Sequence, residues 1–111
     1  MNIQFKKGVL ELCVLSQLVK GDRYGYDLAS DLARTIEIAD GTIYPVLRRL
    51  KSDGCVSAYL KESSEGPPRK YYRLTPAGDR FRRELHAEWY KFVSGVNRII
   101  IEAGGKSDDK K

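Results

Sequence analysis

The stretch Asp40 to Gly54, DGTIYPVLRRLKSDG, decides the fold. At about 100° per residue, Val46, Leu47 and Leu50 fall within roughly 60° of Ile43, so four apolar side chains share one face of a helix. Opposite them stand Gly41, Pro45, Arg48, Arg49 and Ser52, with Tyr44 and Lys51 on one flank and Thr42 on the other. The spacing predicts a helix that is buried on one side and small, polar and basic on the other. Asp40 is the expected cap, Pro45 comes early enough to cost little, and Gly54 is placed to end the helix. Taken alone, such a helix is also compatible with ordinary surface structure, and its neighbours decide its meaning.

Gly8 to Lys20, GVLELCVLSQLVK, carries too many apolar residues for a narrow stripe and predicts a helix buried on more than one side. Ile3 and Phe5 precede it and are expected to pack on another element or subunit. A second helix is expected from Tyr24 to Arg34, with Leu28 and Leu32 four residues apart, Ala29 and Ala33 beside them, and Asp22 or Arg23 near its start. The connector TIEIA, Thr35 to Ala39, should tuck Ile36 and Ile38 back into the core. Two helices about five residues apart, the second with a basic face, match a helix-turn-helix whose second helix enters the major groove.

After Gly54 the residues become strand-like: Cys55, Val56, Ser57, Ala58, Tyr59 and Leu60, then the turn formers ESSEGPP, then Arg69 to Leu74. This is a two-stranded hairpin with its tip around Ser63 to Pro68. A lone hairpin is only marginally stable, so Val56, Tyr72 and Leu74 are expected to pack on the helices. Thr75 and Pro76 then announce a last helix, hydroxyl at the cap and proline at the first helical position. Beyond Phe81, Leu85, Trp89, Phe92, Val96 and Ile99 recur at spacings of four, three, four and three, a coiled-coil style seam roughly 21 Å long. Either a partner helix or the chain's own first helix could cover it; a partner is the simpler cover.

The 111 residues suffice for one domain. The expected organisation is a winged helix-turn-helix over residues 1–75, a C-terminal dimerisation helix over 76–103 that forms one compact unit with it, and a solvated tail over 104–111. The fold class is mainly α with a small β-hairpin. Twenty Lys and Arg against 15 Asp and Glu leave a net charge of +5, which favours an anionic partner such as nucleic acid. No apolar run reaches the length of a membrane span and the first seven residues do not resemble a secretory signal, so a soluble, cytoplasmic protein is expected. Cys13 and Cys55 read as reduced, buried thiols, and the single His86 has no companion ligands at metal spacing. Without a nucleophile motif or a phosphate-cradling glycine loop, neither an enzyme, a metal nor a cofactor is expected.

Three groups of residues also carry a resemblance. Tyr24-Gly25-Tyr26, then Gly41 to Leu47 with Arg49-Leu50 and Gly54, then Arg69 to Tyr72 with Leu74-Thr75 and Gly78, resemble the signature of PadR-type transcriptional regulators, and Gly8 matches a glycine opening that family's first helix. The likeness spans about residues 5 to 95, and the short single C-terminal helix is similar to the family's compact, multidrug-responsive branch. The resemblance implies a homodimeric repressor on a roughly palindromic operator, with C-terminal helices and N-terminal region forming the dimer. It also implies that flat aromatic compounds bind between paired tryptophans, and Trp89 stands at the matching place. Pro67-Pro68 depart from the pattern, occupying wing-tip positions where many relatives carry another basic residue.

Thr42, Tyr44, Arg48 and Arg49 are the candidates for the major-groove side, because hydroxyls hold phosphate or base edges and arginine pairs bidentately with guanine. Tyr44 could equally be partly core. Lys51 is better placed for phosphate than for base, and Arg69 and Lys70 in the wing are expected to act through phosphate charge. Leu85, Trp89, Phe92, Val96 and Ile99 are the dimerisation candidates, with Trp89 either seam packing or a ligand plate. Two rival functions remain at this stage: a protein-interaction module that uses the winged fold without DNA, and a DNA-binding regulator with no small-molecule effector.

Overall fold

The computed structural model describes residues 3–104, with side chains described from Gly8 onward. Helix α1 (Ile3–Gln17) is followed by a short strand β1 (Arg23–Tyr24), helix α2 (Gly25–Thr35), a single 3-10 turn (Asp40–Thr42) and helix α3 (Ile43–Ser52). Strands β2 (Val56–Lys61) and β3 (Arg69–Leu74) and the long helix α4 (Pro76–Glu102) complete it. This is a winged helix-turn-helix with a C-terminal helical extension. The expected packing of Ile3 and Phe5 falls outside the described side chains, and the tail from residue 105 on falls outside the described residues.

The core collects one face from each of the first three helices: Leu10, Val14, Leu15 and Leu18 from α1 and the turn after it, Leu28, Ala29 and Leu32 from α2, and Ile43, Val46, Leu47 and Leu50 from α3. All four inner residues expected of α3 are buried, and Ile36 and Ile38 pack against the cluster from the connector. Val56 and Tyr72 are buried from the sheet, with Leu74 partly so. Both thiols are free, Cys55 buried and Cys13 half-buried. Burial pushes both above the usual thiol range, so they stay protonated.

Several local expectations are corrected. The first helix ends at Gln17 rather than Lys20, because the amides of Leu18 and Val19 turn back onto the carbonyls of Leu15 and Ser16 and Gly21 follows with φ 149°. Asp40 caps nothing with its side chain; the chain enters α3 through the 3-10 turn, where the Thr42 amide donates to the Ala39 carbonyl. The tip of the wing is where it was expected, but the hairpin is not alone. Arg23 and Tyr24 pair antiparallel with Tyr72 and Tyr71, making a three-stranded sheet in the order β1-β3-β2. A two-residue strand leaves no periodic signature, which is why Tyr24 reads as helix in the sequence.

A tight corner joins the wing to α4. The Thr75 hydroxyl donates to the Gly54 carbonyl at 2.6 Å and accepts from the Gly78 amide at 3.0 Å, while the Thr75 amide donates to the Cys55 carbonyl. Gly54 ends α3 at φ 79°, a backbone conformation that favours glycine. Gly78 is required for another reason: a Cβ there would lie 1.9 Å from the Cys55 carbonyl oxygen. On the opposite side of α3, Glu11 of α1 is buried and its carboxylate accepts from Arg49 Nε at 3.1 Å.

Two stability predictions follow from these contacts. Gly78→Ala should force α4 off the wing and cost about 1–3 kcal/mol, read as a thermal midpoint several degrees lower; an unchanged midpoint would contradict the close approach. Glu11→Gln keeps the shape and removes the charge, and should cost about 1 kcal/mol in urea unfolding, since Arg49 is still partly solvated.

Candidate nucleic-acid interface

Burial of Ile43, Val46, Leu47 and Leu50 sets the rotation of α3 about its axis, and with it what the helix shows to solvent. Tyr44, Pro45, Arg48 and Lys51 are exposed, and Thr42 is half-buried. Arg49 lies about 120° from the centre of the apolar face. That is a boundary position, and a helix lies on its side: Arg49 is half-buried and turned toward Glu11, so α1 holds its guanidinium. Glu11 is the site-supporting residue the sequence reading missed. Its signal was a lone carboxylate between Leu10 and Leu12 in a helix buried over much of its girth, a setting that demands a cationic partner.

The sheet brings the wing's cations alongside α3. Strand alternation sends Val56, Ala58, Tyr72 and Leu74 inward and Tyr59, Tyr71 and Arg73 outward. Tyr24, Tyr71 and Tyr59 stand directly opposite one another across the three strands, with ring centroids 5.8 Å apart in each neighbouring pair. Cations roof this row: Arg69 over Tyr24 at 5.0 Å, Lys61 over Tyr71 at 4.9 Å and Arg73 over Tyr59 at 5.3 Å. Asp22 anchors its far end, accepting from the Tyr59 hydroxyl at 2.7 Å and from Arg73 Nε at 3.1 Å. These two hydrogen bonds hold its carboxyl below the usual carboxylate range. Among the described residues the row stiffens the wing, and it was invisible as a pattern because its members come from three separate segments.

Arg69 and Lys70 are both exposed, at the start of β3 next to the turn of the hairpin, where Arg69 faces Lys61. The connection between the strands, residues 62–68, contains Glu62, Glu65, Pro67 and Pro68, so the wing's positive charge sits on the strand ends beside the turn and not in the turn itself. Between the start of β3, the start of α2 and the outer flank of α3 lies a cleft of about 510 Å³. Tyr44 and Arg48 border it from α3, Lys70 and Arg69 from β3, and Tyr26 from α2. Burial, and then the neighbouring tyrosines, push the Tyr44 hydroxyl above the usual phenol range, so at neutral pH it is a proton donor. The structure thus brings Tyr44, Arg48, Arg69 and Lys70 around one opening, and sets Arg49 to the other side of α3.

On α4, Phe81 and Leu85 pack against the core. Farther along the seam, Trp89, Phe92, Val96 and Ile99 are 37%, 52%, 38% and 69% exposed. The Trp89 and Phe92 rings lie 6.4 Å apart in a tilted arrangement. A shallow apolar groove beside Phe92, Val96 and Ile99 runs along the same face. Among the described residues, no group of three or more His, Cys, Asp or Glu could hold a metal ion, and no helix is long and apolar enough to cross a membrane.

The profile of the transcriptional regulator PadR-like family matches residues 14–84. A PadR-like transcriptional regulator from Bacillus cereus is 35% identical and superposes with a TM-score of 0.75, covering 87% of this chain and 96% of that one. A PadR family transcriptional regulator from Eggerthella lenta is 37% identical, with a TM-score of 0.72 over 88% of this chain and 87% of that one. A transcriptional regulator of Mycobacterium tuberculosis is 32% identical over 76 residues, 68% of this chain and 70% of the relative. A basic helix held by its apolar face, a cationic wing strand beside it and these likenesses lead to one conclusion: the chain belongs to the PadR-like family of transcriptional regulators, which bind DNA and are not enzymes.

Proposed function

We propose that the protein is a homodimeric repressor that reads a roughly palindromic operator through two copies of α3 and is released by a small planar aromatic ligand bound at the dimer interface. The observation that carries the DNA half of this reading is the division of α3: four apolar side chains inward, with Tyr44, Arg48 and Lys51 outward beside the wing's Arg69 and Lys70. A protein-interaction module would want aromatic anchors and few uncompensated charges at that place. Arg48 is suited to a bidentate pair with a guanine edge, Thr42 and Tyr44 to base or phosphate oxygens, and Lys51, Arg69 and Lys70 to phosphate. Arg49 contributes by fixing α3 against Glu11. In a two-fold dimer the paired helices reach successive major grooves about 34 Å apart.

The dimer half rests on the exposed apolar residues in the second half of α4. Val96 and Ile99, 38% and 69% exposed on this face, are a poor surface for a lone domain, and a second α4 would cover them with matching spacing. Trp89 lies in the middle of the α4 seam, where two copies of its ring could hold a flat aromatic molecule between them. A regulator without an effector would share the DNA surface and the dimer and differ only here.

Footprinting should show two protected half-sites about one helical turn apart; a single uninterrupted or irregularly spaced footprint would remove the two-fold reader. Arg48→Ala should cost about 1–3 kcal/mol at one base position and relax the preference there, whereas Lys70→Ala should weaken all duplexes alike and lower the salt slope by about one per half-site. Val96→Asp together with Ile99→Asp should convert a dimer into monomers in sedimentation analysis. Titrating planar cationic dyes should quench the single tryptophan in the intact protein, and a flat response across a varied dye set would favour the effector-free regulator.

A further inference from the structure

Tyr72 is the one feature of the cleft that neither its packing nor the roles assigned above explain. It is 8% exposed, yet among the described residues its hydroxyl has no hydrogen-bond partner. Buried polar groups are nearly always paired, so an orphaned phenol needs a reason. Its surroundings supply one. Tyr72 lines the cleft between the wing and α3, and its electrostatic neighbours there are Arg48 and Tyr44. Burial pushes its hydroxyl above the usual phenol range, against the pull of Arg48, so it keeps its proton and can donate it to an acceptor.

Three further features of the same cleft select an anion. Lys70 lies on the same face of β3 as Tyr72, two residues away, and is exposed at the mouth. The first turn of the 11-residue helix α2 opens at the cleft through Gly25 and Tyr26, and its N-cap residue Tyr24 supplies no side-chain hydrogen bond to that turn. The residues around the cleft include Arg48, Arg69 and Lys70 and no carboxylate. Gly25 makes the arrangement possible: a Cβ there would lie 2.8 Å from the Tyr72 ring, so only glycine lets the phenol lie along the start of α2.

We propose that this cleft seats one backbone phosphodiester of the duplex in each half-site, with the Tyr72 hydroxyl donating to a phosphate oxygen, Lys70 pairing with its charge and the start of α2 facing it. The proposal rests on the DNA-binding reading and adds to it a neutral, buried donor. A phosphate held in this cleft fixes the distance of the duplex from the α2 start and the wing together, and thereby the depth to which α3 enters the groove. Tyr72 is then a positioning contact that carries no base preference of its own.

The test is Tyr72→Phe in the full chain, checked for an unchanged fold by circular dichroism and thermal melting, with binding measured over a range of salt. Loss of a hydrogen bond to a charged group should weaken binding about tenfold or more per half-site, equally for operator and unrelated duplexes. The salt slope should stay as in the parent protein, because no charge is removed. A second measurement uses the unaltered protein: duplexes carrying a single neutral methylphosphonate should reveal one position per half-site whose penalty is large for the parent and small for Tyr72→Phe. Equal affinity of Tyr72→Phe and the parent, a loss confined to one base sequence, or no shared phosphate position would overturn the proposal while leaving DNA binding intact. Failure of the parent protein itself to bind any duplex would instead remove the reading on which it rests.

Discussion

The constraint on which the structure depends is the rotational setting of α3. Ile43, Val46, Leu47 and Leu50 are each at most 4% exposed, and burying side chains of this size contributes about 1.5–3 kcal/mol apiece. Turning the helix by one residue would bring Arg48 toward the core in place of Leu47, which adds the cost of an unpaired buried charge to the lost apolar contact. The Glu11–Arg49 pair acts in the same sense from the α1 side, since it forms only at one angle of the helix. The outward chemistry of Tyr44, Arg48 and Lys51 is therefore a consequence of the inward packing, with no separate device needed to aim it.

The rest of the fold transmits that setting. Gly54 turns the chain out of α3, and within two dozen residues Thr75 and Gly78 bring it back onto the same backbone, where the Gly54 and Cys55 carbonyls receive the Thr75 hydroxyl and amide. A corner closed by hydrogen bonds and by the absence of a side chain at Gly78 leaves little freedom for the angle between α3 and α4. The wing is held just as firmly. Its inner face is buried through Val56 and Tyr72, and its outer face is a stack of tyrosines with cations over the rings. Lys70 and Tyr72 consequently stand at a defined place beside the start of α2, and the cleft they share with α3 is preorganised for whatever occupies it.

Much of this was legible in the chain because it depends on periodicity and on local stereochemistry. The four inner residues of α3, the Thr75–Pro76 start of α4, the stop at Gly54 and the placement of the hairpin all follow from rules that act within a few residues. The errors have equally physical origins. Asp40 satisfies the composition of a cap, but a 3-10 turn precedes α3 and uses a backbone carbonyl in its place. Tyr24 has helical neighbours on one side only, and its pairing with Tyr71 depends on a residue far along the chain. Arg49 sits at the edge of the apolar face, where the angle alone cannot say whether a side chain meets water or a neighbouring helix.

By itself, then, the sequence determined which faces are apolar, where helices start and stop, and that the basic residues cluster on α3 and on the wing, since these are properties of short stretches. Only the tertiary structure decided how those stretches meet. It assigned Arg49 to Glu11, lined up Tyr24, Tyr71 and Tyr59 across three strands, left Val96 and Ile99 exposed, and set Tyr72 in a cleft where, among the described residues, its hydroxyl has no hydrogen-bond partner. Each of these involves residues distant in the chain, and their meeting is fixed by the packing of whole elements against one core, a cooperative quantity that no single stretch contains.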